Sequence, residues 1–365
     1  MVEPMNPPPV LVIAEAGVNH NGRADWAFQL VEVAAQAGAD VVKFQTFQAD
    51  ALATAEAPKA AYQQRATGAG ESQQAMLRRL ELPAALHRQL KAHAEQRGLR
   101  FLSTAFDEPS LRLLVDELGL TLLKIPSGEL TNAPLLLQHA RSGAELIVST
   151  GMATLAEVEQ ALGVIAFGRI AGAQERPGPA AFRAAYASAE GQAALRRGVT
   201  LLHCTSDYPA AAEAVNLRAM DALAAAFGLP VGYSDHTLGI EVALAAVARG
   251  ACVIEKHFTL DRTLPGPDHA ASLEPAELAR LVAGVRTVSA ALGDGIKRPQ
   301  PAELATAAVA RKSLVARRAV RAGQVLGPED IAVMRPGTGM PPMAYWDVMG
   351  RVASRDYAAG ELLHE

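Results

Sequence analysis

The chain has 365 residues, half of them apolar, and 34 basic side chains against 38 acidic ones give a formal net charge of -4. That length accommodates one large α/β domain and a small one with a substantial core. The mixed charge excludes the long-range field that nucleic acid or an anionic membrane would require, so any anion must be bound locally. Cys204 and Cys252 lie inside apolar runs, which reads as reduced, packed thiols in a cytoplasmic protein and gives no disulfide framework. The start, MVEPMNPPP, lacks the basic and apolar regions of a secretion signal, and no apolar run of membrane-spanning length follows. Residues 1–9 read as a loose, disordered lead.

From Val10 onward, short β-branched runs alternate with longer amphipathic segments, the pattern of βα units in a parallel sheet. Eight such runs are present: 10–17, 41–46, 100–106, 122–128, 145–151, 199–206, 230–236 and 251–258. Most begin apolar and end in Glu, Lys, Gln, Ser, Thr or His. That gradient predicts a (β/α)8 TIM barrel over 10–293, whose reactive mouth lies at the C-terminal strand ends. An open doubly wound sheet is the alternative, but no glycine-rich dinucleotide fingerprint follows the first run.

Two connections are long. The polar stretch between the second and third runs, broken near Gly68 and Gly70, is placed to fold over the mouth as a lid. The other, 167–197, is alanine-rich after ERPGP and reads as a peripheral excursion without chemistry. Glycine, proline and charge mark 294–310 as a linker. Short alternating segments punctuated by glycine predict a small, mostly β domain over 311–365.

The chemistry concentrates between 230 and 268. Alternation along a strand puts Gly232, Ser234 and His236 on one face, and Val253, Glu255 and His257 on one face of the next. Adjacent parallel strands would bring the imidazoles together, where they suit a catalytic divalent metal. Two strand-end histidines that merely satisfy backbone groups would explain the spacing as well. Lys43 and Lys124 end apolar runs, and a lysine facing a barrel interior is costly unless an anion pairs with it. Ser127, Thr150, Thr154, Ser206 and Ser234 offer hydroxyls for phosphate or carboxylate oxygens, although each alone suits a turn or N-cap. Glu15 and Glu129 are candidate proton-transfer groups, with simple charge balance against the lysines as the competing explanation.

The segments EAGVNHNG, VVKFQT, APKAAYQ, FLSTAFD, KIPSGELTN, STGMAT, LLHCTSDYP, GYSDHTLG, IEKHFTLDR, PGPDH and RPGTGMPP together resemble the sialic acid synthase family. They occur in family order along nearly the whole chain, and the C-terminal portion looks like an antifreeze-like (SAF) module. The resemblance implies condensation of phosphoenolpyruvate with an N-acyl amino sugar, here N-acetylmannosamine, to give N-acetylneuraminate and phosphate. Legionaminic acid synthases, which use a 2,4-diacetamido sugar, share nearly all these motifs and are the alternative; a non-catalytic sugar-binding protein is a more distant one.

The resemblance further implies a divalent metal on His236 and His257, usually manganese, with magnesium or cobalt as substitutes. It implies a phosphoenolpyruvate site of Lys43, Lys124, Ser127, Thr150, Thr154, Ser206 and Ser234. The sugar would lie near Gln45, Tyr208 and Asp268, and Arg335 would reach it from the terminal domain of a partner subunit in a domain-swapped homodimer. No arginine ends any of the eight runs, which argues against a second, sugar-borne phosphate. Two departures bear on the sugar side: Ser206 stands where relatives can carry Asn or Thr, and the chain reads AAAEAVN after Tyr208–Pro209; separately, the 167–197 excursion is longer than in many relatives.

Overall fold

A computed structural model describes residues 9–68, 70–172 and 174–364, so nearly all of the proline-rich lead lies outside the described residues. The chain divides into two compact units, Met1–Asp294 and Gly295–Glu365.

The eight runs of the first unit become eight strands: β1 (Leu11–Gly17), β2 (Val41–Thr46), β3 (Arg100–Ala105), β4 (Leu122–Ile125), β5 (Glu145–Ser149), β6 (Val199–Cys204), β7 (Val231–Asp235) and β8 (Val253–His257). They pair in parallel, in chain order, and β8 closes onto β1. The result is a TIM barrel. Its outward strand residues, among them Val12, Val42, Phe44, Leu123, Val148 and Ile254, pack beneath the surrounding helices.

Inside the barrel, Ile13, Val41, Leu102, Leu122, Ile147, Leu202 and Val253 form an apolar plug. At this level β7 contributes Gly232, where a Cβ would come within 2.6 Å of both a Leu202 methyl and the Val253 carbonyl oxygen. A side chain cannot fit there. Because inward positions recur every second residue, the layer above the plug is fixed by register. It consists of Glu15, Lys43, Thr104, Lys124, Ser149, Cys204, Ser234 and Glu255. The polarity gradient in the sequence is therefore a floor of hydrocarbon beneath a layer of charge.

The stretch between β2 and β3 folds into the short helices Ala49–Leu52, Ala61–Thr67 and Gln73–Arg78. Phe47, Met76 and Leu80 form a small apolar cluster with Val18, which anchors this lid to the β1 loop. Lys59 is buried within it, bonded to Thr67 at 2.8 Å and paired with Glu71 at 3.4 Å.

The helix Leu155–Ile170 is apolar on nearly every side because it is covered twice. Its inner face meets the barrel, while Pro179–Ala187 and Ala189–Gly198 cover the outer one. Phe167 meets Phe182 edge-on at 5.4 Å between ring centroids.

In the second unit, β9 (Ser313–Ala316) pairs antiparallel with β10 (Ile331–Met334), and bridges join Val315 to Leu362, Val320 to Tyr357 and Val325 to Val352. Leu314, Val320, Ile331, Val348, Tyr357 and Leu363 supply its own core. The stretch expected as a linker carries a helix, Glu303–Ala310, none of whose side chains is buried. Among the described residues no helix is long and apolar enough to cross a membrane.

Candidate active site

A cavity of about 440 Å³ opens at the C-terminal ends of the strands, with the charged layer as its floor. Lys43 Nζ lies 2.5 Å from Glu15 Oε2 and 3.5 Å from Glu255 Oε2, and Lys124 Nζ lies 3.7 Å from Glu255 Oε1. Lys43 also donates to Thr104 Oγ1 at 3.2 Å, and Lys124 to Ser149 Oγ at 2.7 Å. Ser234 donates to Glu255 at 2.9 Å. All four charged side chains are less than a tenth exposed.

The two carboxylates are driven apart. Burial raises the Glu15 carboxyl to about 7; Lys43 opposes this, and the negative charge of Glu255 reinforces it. Burial also penalises the Glu255 carboxylate, but Lys124, then Lys43, together with Ser234, outweigh it and hold this group below the usual range. Like charges in one site favour a single ionised member. Burial likewise depresses the Lys124 ammonium, while at Lys43 the two glutamates overcome the burial penalty and raise it.

His236 and His257 stand above this floor with ring centroids 5.8 Å apart. His236 Nδ1 is 2.6 Å from the Thr205 carbonyl oxygen, which fixes the tautomer with hydrogen on Nδ1 and leaves Nε2 as a lone-pair donor. His257 Nδ1 is buried with no hydrogen-bond partner. Burial keeps both rings neutral, and at His257 the neighbouring His236 adds to the effect. Gly17 adopts φ +54°, and a Cβ there would sit 3.0 Å from the His257 ring, so the strand end is glycine for both reasons. Two neutral imidazoles side by side, His236 with its Nε2 lone pair free of hydrogen, fit a divalent transition metal. Among the described residues no cluster of three or more His, Cys, Asp or Glu forms a complete metal cage, so water and substrate oxygens would fill the remaining positions.

Tyr208 packs on His236 at 4.1 Å and on Tyr62 of the lid at 4.7 Å between ring centroids. Burial raises both phenols, and Asp268 adds to the shift of each. Asp268, itself buried, is raised to about 6 by desolvation. Gln45 lies 3.4 Å from Glu15 Oε1. Ser127 Oγ accepts from Gly151 N at 2.9 Å and meets Cys204 Sγ at 3.2 Å. Gly151 is confined there, since a Cβ would stand 2.8 Å from Ser127 Oγ. Ser206 and Glu129 also line the cavity, the latter with its carboxylate accepting from Asn132 at 2.7 Å.

Two residues expected in the anion site do not reach it. Thr150 donates its hydroxyl to the Leu202 carbonyl, and Thr154 caps the helix Leu155–Ile170 in a reciprocal box with Glu157. Both line a neighbouring groove instead. The inward hydroxyl of β5 is Ser149, one residue earlier, because strand parity runs from Ile147. Arg335 belongs to the second unit, where it is exposed and donates Nε–H to the Ala310 carbonyl at 3.0 Å.

A family model described as the NeuB family matches residues 30–297, and a SAF domain model matches 311–365. The chain belongs to the NeuB family. This NeuB family member is 46% identical, over 97% of its own length and 99% of the relative's, to N,N'-diacetyllegionaminic acid synthase of Campylobacter jejuni subsp. jejuni. It is 44% identical to the enzyme of the same name from Legionella pneumophila, over 96% of this chain and 92% of that one. The crystal structure of an N-acetylneuraminic acid (sialic acid) synthetase from Leptospira borgpetersenii, in complex with citrate, superposes with a TM-score of 0.65 at 34% identity, covering 82% of this chain and 90% of that one.

The cavity also holds residues to which the sequence assigned no role. Glu255, Thr104 and Ser149 were within reach of strand alternation, since each stands two residues beyond a member of the plug. Tyr62 was not, because only the folded lid carries it to Tyr208.

Proposed function

We propose that this chain is a phosphoenolpyruvate-dependent nonulosonic acid synthase that uses a 2,4-diacetamido-2,4,6-trideoxy hexose, forming N,N'-diacetyllegionaminic acid and phosphate. The observation that carries the sugar assignment is the 46% and 44% identity to two N,N'-diacetyllegionaminic acid synthases, each covered nearly end to end, against 34% to the sialic acid synthetase. This replaces N-acetylmannosamine, the first expectation from the motifs, with the alternative that accompanied it.

The floor supports the phosphoenolpyruvate half of the reading. Lys43 and Lys124 present two buried ammonium groups to the cavity, and an incoming trianion would draw them from Glu15 and Glu255 into shorter charge-assisted contacts. Ser127, Ser206 and Ser234 supply further donors. His236 and His257 would hold a divalent ion, manganese or a substitute such as magnesium or cobalt, which when bound supplies Lewis acidity at the sugar's carbonyl oxygen. Tyr208 and Asp268 orient the open-chain sugar so that C1 faces C3 of phosphoenolpyruvate, and Gln45 borders the same space. The carbon–carbon bond forms between those atoms as the carbonyl π pair moves onto the C1 oxygen, which takes up a proton from solvent to become a hydroxyl, and C2 is left cationic. Water adds to C2 and gives its proton to Glu15, whose carboxyl, raised to about 7, is matched to a neutral-pH base. Collapse of the resulting tetrahedral centre breaks the C2–O bond, releases phosphate and leaves the 2-keto acid. Glu129 lies farther from the lysine pair and is the weaker candidate for the base.

The test is phosphate release with phosphoenolpyruvate, manganese and a panel of N-acyl sugars. The 2,4-diacetamido-6-deoxy sugar should give the highest kcat/KM; preference for N-acetylmannosamine would return the assignment to N-acetylneuraminate, and release with no sugar would remove the synthase reading. His236→Ala and His257→Ala should each abolish turnover while the fold persists. In the same reading the working unit is a domain-swapped homodimer in which a partner's terminal domain brings Arg335 to the sugar's N-acyl group. Mixing Arg335→Ala with His236→Ala subunits should then regain activity, and persistent inactivity would refute the swap.

A further inference from the structure

The SDHT and EKHF segments contain more than their histidines: Ser234 and Glu255 share the cavity face with them, while Asp235 and Lys256 face the other way. In the β7–β8 register Asp235 stands beside Lys256. Alternation sends both side chains to the helix side of the sheet, opposite the cavity. There Lys256 Nζ lies 2.6 Å from Asp235 Oδ2 and donates to the Thr237 carbonyl oxygen at 2.7 Å. Asp235 Oδ1 accepts from Thr237 N at 2.9 Å, from Thr237 Oγ1 at 2.8 Å and from the Tyr233 hydroxyl at 3.2 Å. The ion pair is sealed, with side chains 1% and 0% exposed.

We propose that Asp235, Lys256 and Thr237 are positioning residues for the metal pair, a knot on the back of the sheet that fixes the backbone from which His236 and His257 project. The proposal rests on the reading that these two histidines hold a divalent ion. Its geometry is specific. Thr237 is gripped at its amide, its hydroxyl and its carbonyl, so the peptides on the C-terminal side of His236 are immobilised at three points. Asp235 holds the N-terminal side. Lys256 carries the restraint across to the residue directly before His257. That ring needs it, because the buried His257 Nδ1 has no hydrogen-bond partner of its own to aim it. Metal-bound histidines are ordinarily oriented by such a partner.

A purely stabilising role does not account for the knot. Two apolar side chains of similar volume would pack these strands as well as a buried ion pair does, and often better. They could not hold the three polar atoms of Thr237.

The experiment uses the full-length chain and manganese alone as the probe, with free Mn2+ counted by electron paramagnetic resonance. The double variant Asp235→Asn/Lys256→Met removes both buried charges together, so no lone ion is left to unfold the barrel. It should melt near the unsubstituted chain and bind phosphoenolpyruvate by calorimetry within about twofold of it. Its Mn2+ affinity should fall on the order of 10- to 100-fold, the range for residues that orient metal ligands. Added Mn2+ should restore turnover. Thr237→Val, which deletes one hydrogen bond, should weaken Mn2+ binding about three- to tenfold. Should the double variant fail to fold, Thr237→Val decides alone. Mn2+ affinity unchanged in the folded variants overturns the positioning role and leaves the metal reading standing. Absence of Mn2+ binding in the unsubstituted chain beyond that of His236→Ala overturns both.

Discussion

The same two strands carry charge on both faces, and the faces differ in what satisfies it. Behind the sheet, Asp235 and Lys256 meet at 2.6 Å, with Thr237 and Tyr233 completing their hydrogen bonds. In front, Glu255 stands 3.5 Å from Lys43 and 3.7 Å from Lys124, and its Oε2 has no hydrogen-bond partner. Both clusters are buried. One is closed on itself, whereas the other, beyond the 2.5 Å contact of Lys43 with Glu15, leaves Glu255 loosely matched to both lysines beside an opening, an arrangement that would let two ammonium groups meet an anion without standing bare.

Breaking each cluster should therefore fail in a different way. Asp235→Ala strands the Lys256 ammonium and should cost about 3–5 kcal/mol of stability, read as a lowered denaturant midpoint, the largest of these effects. Lys124→Met or Lys43→Met should spare most of the stability, since three charged neighbours and the cavity remain to readjust. Each should weaken phosphoenolpyruvate binding by about 1.5–3 kcal/mol, roughly ten- to hundredfold, with much less effect on the sugar. Equal losses for both substrates would show that the front cluster is structural like the back one.

A pH profile sharpens the contrast within the front cluster. Because burial raises Glu15 to about 7, kcat/KM should fall about tenfold per unit as pH drops below that value, and Glu15→Gln should remove this limb along with most activity. The stability linkage has opposite signs for the two glutamates. Glu15, with its folded value raised, contributes stability at low pH that is lost as pH climbs from its ordinary value to about 7. Glu255, with its folded value depressed, contributes stability above its ordinary value that is lost on acidification. Thermal melts of Glu15→Gln and Glu255→Gln across this range should bend in opposite directions. The smallest effect belongs to Thr154→Ala, which removes a helix cap for about 1 kcal/mol and should leave phosphoenolpyruvate dependence unchanged. A rise in that dependence would return Thr154 to the anion site.

The barrel was legible because both of its periods are written locally: β-branched runs for strands, and a polar end on each run for the mouth. Alternation put His236 and His257 on matching strand faces, and the cost of burying an unpaired lysine singled out Lys43 and Lys124. Thr150 was misplaced by one residue of parity, since the strand-end cluster Ser149–Thr150 offers two hydroxyls and only the plug residue Ile147 tells which faces inward. Thr154 stood at a helix start, where a cap and a phosphate donor look alike in sequence. Asp235 and Lys256 had no visible role because their partners converge across two strands separated by a helix. The contact of Tyr62 with Tyr208 depends on how the lid folds, which no local period encodes.

The double covering of the helix Leu155–Ile170 bears on how this protein can be handled. Among the described residues its excursion lines no part of the cavity at the mouth, so it looks like a segment that could be trimmed for crystallisation or fusion. Yet Pro179–Ala187 and Ala189–Gly198 shield a helix whose Val164, Ile165, Ala166 and Phe167 are all buried. A shortened chain would keep every reactive group and gain an adhesive apolar flank, so it would be lost to aggregation before its chemistry could be measured.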